Sequence, residues 1–353
     1  MKLNVKHISL YHNSKNMKKE TLDKFDICKM YKIYDKWPEL AEENYNKNDI
    51  IIGIEKPEHI VFVGMGGSGT ISDVFAAMLS QSSIHVDIVK GYHLPRTVNQ
   101  DSLLIVTSVS GNTNETLNVL KDAINDKCKI IAFSDGGKIQ EICERNNILH
   151  VNIKMCQSPR ASLVSFLYGM LKSLKKILEI NESDVQESLK LLKITRDEIS
   201  SNNLTNKNDS LELSNWITEI PIIYYPWGLK AAAIRFKNSL QENAKIQALT
   251  EDIIESSHNG IVPWMNEQSM RAIFVQGKDD FSKTKERWEI IEEFFTSNKI
   301  DFKKIQSVNG SILSKLVNLI YILDYATIYL AVKSGIDPVP VEPIDFIKDK
   351  LRR

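Results

Sequence analysis

Residues 59–69 read HIVFVGMGGSG, and residues 102–113 read SLLIVTSVSGNT. Each is a short β-branched run that stops in a loop of Gly, Ser and Thr. Apolar runs of this length bounded by turn residues read as buried strands. Helix-forming segments follow directly: GTISDVFAAMLSQ at 69–81 and NETLNVLKDAIND at 114–126. Strand, small-residue loop and helix in that order place free backbone N–H groups at a helix N-terminus, where the dipole favours an anion. Gly64, Gly66 and Gly67 permit close approach of backbone to ligand. Ser68 in the first loop, and Ser108, Ser110 and Thr113 in the second, add hydroxyls. The pair of loops reads as a phosphate site.

The alternation continues outward. KIIAFS (129–134) and LHVNI (149–153) are strand-like, with a helical segment at 136–147 between them. Strands separated by helices of roughly 10–15 residues argue for βαβ units and a parallel sheet. Segments 159–180 and 182–200 read as two long helices, and the polar stretch SNNLTNKNDS (201–210) as a boundary. A second set then repeats the order, with strands at 220–226, 271–277 and 301–308 and helices at 228–245, 282–298 and 311–334. The expected architecture is α/β: two similar units, each a parallel sheet flanked by helices, joined by long helices. The spans are an N-terminal helical segment 1–45, a first unit 46–155, linking helices 156–205, a second unit 206–335 and a C-terminal segment 336–353. MKKE (17–20) reads as solvated tail.

Of the 353 residues, 45 are Lys or Arg and 45 are Asp or Glu. This balance lacks the basic excess expected of a nucleic-acid binder. The four cysteines form no CxxC pair and no metal-ligand spacing, and read as reduced, mostly buried thiols of a cytoplasmic protein. The apolar stretch 316–332 contains Asn318 and Asp324 and reads as a buried helix, not a membrane span.

Other uses of the first loop remain open at this level. GMGGSG fits the GxGxxG dinucleotide fingerprint, with Asp87 in HVDIVKG as the candidate acidic partner. No Gly-Lys-Ser/Thr follows, which excludes a nucleoside-triphosphate phosphate loop. Two ordinary tight turns are the plainest reading.

GMGGSG, SVSGNTNETL, SPRA, QENAK and SHNG occur in the order seen in sugar isomerase (SIS) domain proteins. With the C-terminal GIDPVPVEPIDFIK, the chain from residue 58 to 350 resembles the bifunctional phosphoglucose/phosphomannose isomerases of archaea and some bacteria. The resemblance implies two SIS domains and a homodimer with shared active sites. It implies that Ser68, Ser108, Ser110 and Thr113 bind the phosphate of a hexose 6-phosphate and that Gly66 and Gly67 bring amides toward the sugar. By the same resemblance Arg160 lies beside the reacting carbons, Glu242 is the base, and His258 is the ring-opening acid/base, reaching the site from the neighbouring subunit. Lys348 would be its companion. No metal and no cofactor is implied, and neither nucleic acid nor membrane is an expected partner.

The chemistry suits these types. Aldose–ketose isomerisation moves a proton between C1 and C2 through a cis-enediolate, work for a partly desolvated carboxylate. Arginine offsets the enediolate charge with a fixed fork of donors, and an imidazole titrating near neutrality suits ring opening. The pattern is broken at Gly260, where relatives usually carry glutamate, at Pro263 (glycine) and at Val109 (tyrosine). GTISD keeps Asp73 without the usual glycine pair. The rival reading is a sugar-phosphate sensor, which needs the loops but not Arg160, Glu242 and His258 together. An amidotransferase is disfavoured because Lys, not Cys, stands at position 2.

Overall fold

The computed structural model describes residues 17–47, 52, 56–205, 207–266 and 268–351. The two quoted runs are neighbouring strands. β1 (His59–Val63), β2 (His85–Val89), β3 (Leu103–Ser108), β4 (Lys129–Ser134) and β5 (Leu149–Asn152) lie in the order β2-β1-β3-β4-β5, parallel throughout. β3 is buried along its whole length and β1 at all but its first residue, as a parallel sheet covered on both faces requires. β6 (Ile220–Tyr225), β7 (Leu249–Asp252), β8 (Met270–Gln276) and β9 (Phe302–Gln306) form a second parallel sheet, β7-β6-β8-β9. Both sheets share one winding, the second a strand shorter, so the repeat of elements is also a repeat of topology. β2 and β7 stand outside the series that the sequence marks. Both are short edge strands with mostly incomplete burial, so they carry no long apolar run.

In the first sheet the winding reverses between β1 and β3. Such a switch point opens a crevice at the carboxyl ends of the strands, and the Gly-rich and Ser/Thr loops flank it.

Helix Ile312–Lys333 runs through the main core. It is long and apolar enough to cross a membrane, but 94% of its apolar window is buried inside this chain. Its Asp324 accepts from Arg235 Nη2 (2.7 Å) and Ser239 Oγ (2.6 Å).

The N-terminal region departs from expectation. Residues 1–16 lie outside the described residues, but 17–20 are not solvated tail: Met17 is buried and helix Lys19–Phe25 begins here. Tyr31, Tyr34 and Trp37, from helices Met30–Asp35 and Trp37–Lys47, are fully buried. Tyr34 stacks on Trp37 at 4.2 Å, and Trp37 Nε1 donates to the Ala161 carbonyl (2.9 Å). The segment looks polar as a string because only one face of each helix is apolar; that face is what packs. The thiols also differ. All four are free, but only Cys143 is buried, Cys28 is exposed and the other two are half-buried.

Candidate active site

The first loop is shaped by glycine. Gly66 opens helix Gly66–Leu79 at φ +53°, a conformation that L side chains rarely adopt. A Cβ on Gly67 would stand 3.4 Å from the Pro159 carbonyl oxygen, so its absence lets the helix start press against the turn that carries Arg160. Ser68 is buried, and its Oγ accepts the Val109 N–H (3.3 Å), tying the first loop to the second. In the second loop the Ser108 and Thr113 hydroxyls lie 2.9 Å apart and Ser110 Oγ accepts the Asn112 N–H (3.4 Å). Thr113 precedes helix Asn114–Asn125. The turn between these hydroxyls admits no side chain: Gly111 has φ +67°, and a Cβ there would fall 1.8 Å from the Gly136 carbonyl oxygen.

Arg160 is buried and fully engaged. Nε donates to Asn243 Oδ1 (2.7 Å), Nη2 to the carbonyls of Pro338 (2.8 Å) and Val339 (2.7 Å), and Nη1 to Glu242 Oε2 (3.3 Å). Its own carbonyl accepts from Arg235 Nη2 (2.8 Å). The ion pair between Arg235 and Asp324 thus fixes the backbone that aims Arg160.

Glu242 is half-buried and sits where helix Lys230–Ser239 widens into a π turn, Leu240–Ala244. Such turns often mark functional positions, because the wider turn re-aims a side chain. Lys245 ends the turn at φ +59°. Its Nζ donates to the carbonyls of Glu242 and Pro338. Burial, and next the Arg160 charge, push its ammonium down from 10.5 to about 8. Gly66, Gln241, Glu242 and Lys245, with Pro340 and Val341 from the C-terminal segment, border a cavity of about 510 Å³.

One chain therefore brings together Gly66, Gly67, Ser68, Ser108, Ser110, Thr113, Arg160 and Glu242. Among the described contacts of that cluster, neither His258 nor Lys348 takes part. His258 is exposed in the loop after β7, its N–H donated to the Glu255 carbonyl (2.9 Å). Lys348 is exposed on helix Glu342–Leu351, which buries no residue. Asn243, Lys245 and the carbonyls of Pro338 and Val339 escaped the sequence reading. Asn243 and Lys245 lie in the QENAK motif, but nothing in its letters shows that the π turn points them at Arg160 and Pro338.

The departures have local explanations. At Gly260 a Cβ would fall 2.0 Å from Glu251 Oε2, so the Glu251 carboxyl fills that space, where burial pushes its pKa up. Pro263 lies in the first turn of the 3-10 helix Val262–Met265, where a missing N–H costs little. Val109 is a core residue, and Asp73 pairs with Lys90 (2.6 Å). Asp87 is not at the end of its strand. It pairs with Val61 in register and meets His59 at the start of β1, away from the crevice where a dinucleotide ribose would need it.

An SIS-domain family model matches residues 53–175, and one described as the bacterial phospho-glucose isomerase C-terminal SIS domain matches residues 206–351. The chain is 31% identical over 329 residues to a bifunctional phosphoglucose/phosphomannose isomerase of Caldicellulosiruptor bescii, covering 89% of this chain and 96% of that one. It is 26% identical over 323 residues to a D-glucosamine-6-phosphate 4-epimerase of Sulfolobus acidocaldarius, covering 91% and 97%. A hypothetical protein of Thermus thermophilus has a solved structure of like fold, with TM-score 0.74, 14% identity, and 94% and 92% of the two chains covered.

Proposed function

The chain belongs to the family of bifunctional phosphoglucose/phosphomannose isomerases, and from that premise we propose that it interconverts fructose 6-phosphate with glucose 6-phosphate and mannose 6-phosphate, without a metal, through a cis-enediolate. The observation that carries the reading is the joining of Arg160 to Glu242 beside the phosphate loops. A sensor would need the loops alone.

The hydroxyls of Ser68, Ser108, Ser110 and Thr113, with the N–H groups at two helix starts, hold the phosphate dianion. Glu242 removes the C1 proton of the open-chain ketose. The electron pair forms the C1–C2 double bond, and the carbonyl π pair moves to O2. Arg160 Nη1 faces the developing charge. The O1 proton then passes to O2, the O1 pair forms the C1 carbonyl and the C1–C2 π pair takes the proton back at C2. Delivery to one face gives the gluco product and to the other the manno product. One enediolate therefore serves both aldoses.

The proposal includes a homodimer. His258 is exposed, and the C-terminal helix presents Phe346, Ile347 and Leu351 to solvent. A second chain would cover that apolar face and bring a histidine to the ring oxygen. Turnover of fructose 6-phosphate in D2O tests the chemistry, since exchange at an enediolate leaves deuterium at C2 of both aldoses. The same run with glucosamine 6-phosphate tests the epimerase alternative that one relative raises; a C4 epimer as the only product would displace the isomerase reading.

A further inference from the structure

A second chemical grouping lies at the opposite end of the first sheet. β1 and β2 run side by side with His59 opposite His85 and Val61 opposite Asp87. In a strand pair, direct partners and residues two apart share a face. His59 and His85, which open the two strands, and Asp87, in the middle of β2, therefore project from one face of the sheet. The spacing shows none of this, because strand pairing alone joins His59 to His85.

The geometry is that of a ligand set. His59 Nε2 lies 3.1 Å from Asp87 Oδ2 and His85 Nε2 lies 3.6 Å from the same oxygen. All three candidate donor atoms fall within 4.8 Å of one another. Tetrahedral bonds of about 2.0–2.1 Å set ligand atoms roughly 3.3 Å apart, so a small movement would admit an ion. The first histidine is already oriented from behind. Its Nδ1 stands 2.9 Å from Ser102 Oγ, which also accepts the Asn99 N–H (3.1 Å). A hydroxyl can accept from Nδ1–H or donate to Nδ1. In the first arrangement Nε2 turns a lone pair toward Asp87 Oδ2, which also accepts from the Thr97 hydroxyl (3.4 Å), and a cation can take the place between nitrogen and carboxylate. The His85 side chain is 66% exposed, leaving room for water in the remaining position.

We propose that His59, His85 and Asp87 bind one borderline divalent cation of the Zn2+ class. Two imidazoles and a carboxylate suit Zn2+, Co2+ or Ni2+ far better than Mg2+ or Ca2+. The site faces away from the Gly64–Ser68 loop, at the other end of β1, so the ion does not meet the sugar. It clasps the edge strand β2 to β1, and because it binds the folded chain alone it raises stability by mass action.

The test uses the full-length chain stripped with EDTA and titrated with Zn2+ by calorimetry and with Co2+ by visible absorption. One equivalent should bind with cobalt d–d bands, and saturating Zn2+ should raise Tm. In His85→Ala and Asp87→Asn the affinity should fall about 10–100-fold or more, with loss of the bands and of the Tm gain. His93→Ala, another exposed histidine, should keep all three. Turnover in EDTA should be the same in His85→Ala as in the native chain. Equal Zn2+ binding by the native chain and His85→Ala, or no saturable binding at all, overturns the proposal. His85 is exposed enough that its loss does not threaten folding.

Discussion

Arg160 Nη1 stands 3.3 Å from Glu242 Oε2, while the other two nitrogens of the same guanidinium are spent on Asn243, Pro338 and Val339. The guanidinium is held in place by those bonds, and Glu242, half-buried, is tied to it by the one nitrogen left over. Lysine carries the charge but lacks the fork. Arg160→Lys should lower kcat by about 10²–10³-fold, the loss seen when one charge-stabilising donor is removed. Coupled turnover assays check this, and a variant within threefold of the native rate would remove Arg160 from the chemistry.

Gly111 tests, separately from catalysis, whether the Ser108–Thr113 loop binds phosphate. Alanine there meets the Gly136 carbonyl and sits at positive φ, a strain of about 1–3 kcal/mol. The Ser108–Thr113 pair should move apart, raising KM for fructose 6-phosphate by an order of magnitude with a smaller change in kcat. An unchanged KM would mean that the loop does not hold the phosphate.

The pair of Arg235 and Asp324 supports the site from within the core. Both side chains are buried, at 3% and 0% exposure. Asp324→Asn leaves the guanidinium charge uncompensated and should cost about 3–5 kcal/mol in denaturant unfolding. A loss below 1 kcal/mol would show that the hydrogen bonds, not the charge, carry the support.

Lys245 gives a pH signature. Its folded pKa of about 8 lies below the ordinary 10.5. Below pH 8 both states are protonated and the folded chain bears the full burden of an ammonium held against the Arg160 charge on an exposed side chain. Between 8 and 10.5 the unfolded chain holds more protons, so stability contributed by this group rises with pH. The Tm difference between the native chain and Lys245→Met should therefore shift in favour of the native chain from pH 7.5 to 10. Parallel Tm curves would contradict it.

The central strands and both loops were legible because buried parallel strands are near-continuous apolar runs and glycine and serine mark where they stop. β2 and β7 were not, since a half-exposed edge has no such run. The N-terminal tyrosines and Trp37 were present as letters, but their burial depends on a tertiary partner, the helix Ile312–Lys333. At the site, Arg160 and Glu242 were found through the resemblance and their meeting through the fold. Lys245 was passed over because its partner, the Pro338 carbonyl, is backbone and leaves no trace in composition. His258 and Lys348 are exposed, and neither takes part in the described contacts of that cluster.

The central claim is that Glu242 isomerises a hexose 6-phosphate without a metal. It is tested most directly by incubating the native chain and Glu242→Gln with fructose 6-phosphate in EDTA, assaying both aldoses and measuring substrate binding in parallel. The native chain should form both glucose 6-phosphate and mannose 6-phosphate. Turnover in the variant should be at least about 10²-fold lower, with binding retained. A native chain that binds fructose 6-phosphate and forms neither aldose, or a variant that keeps its rate, would contradict it.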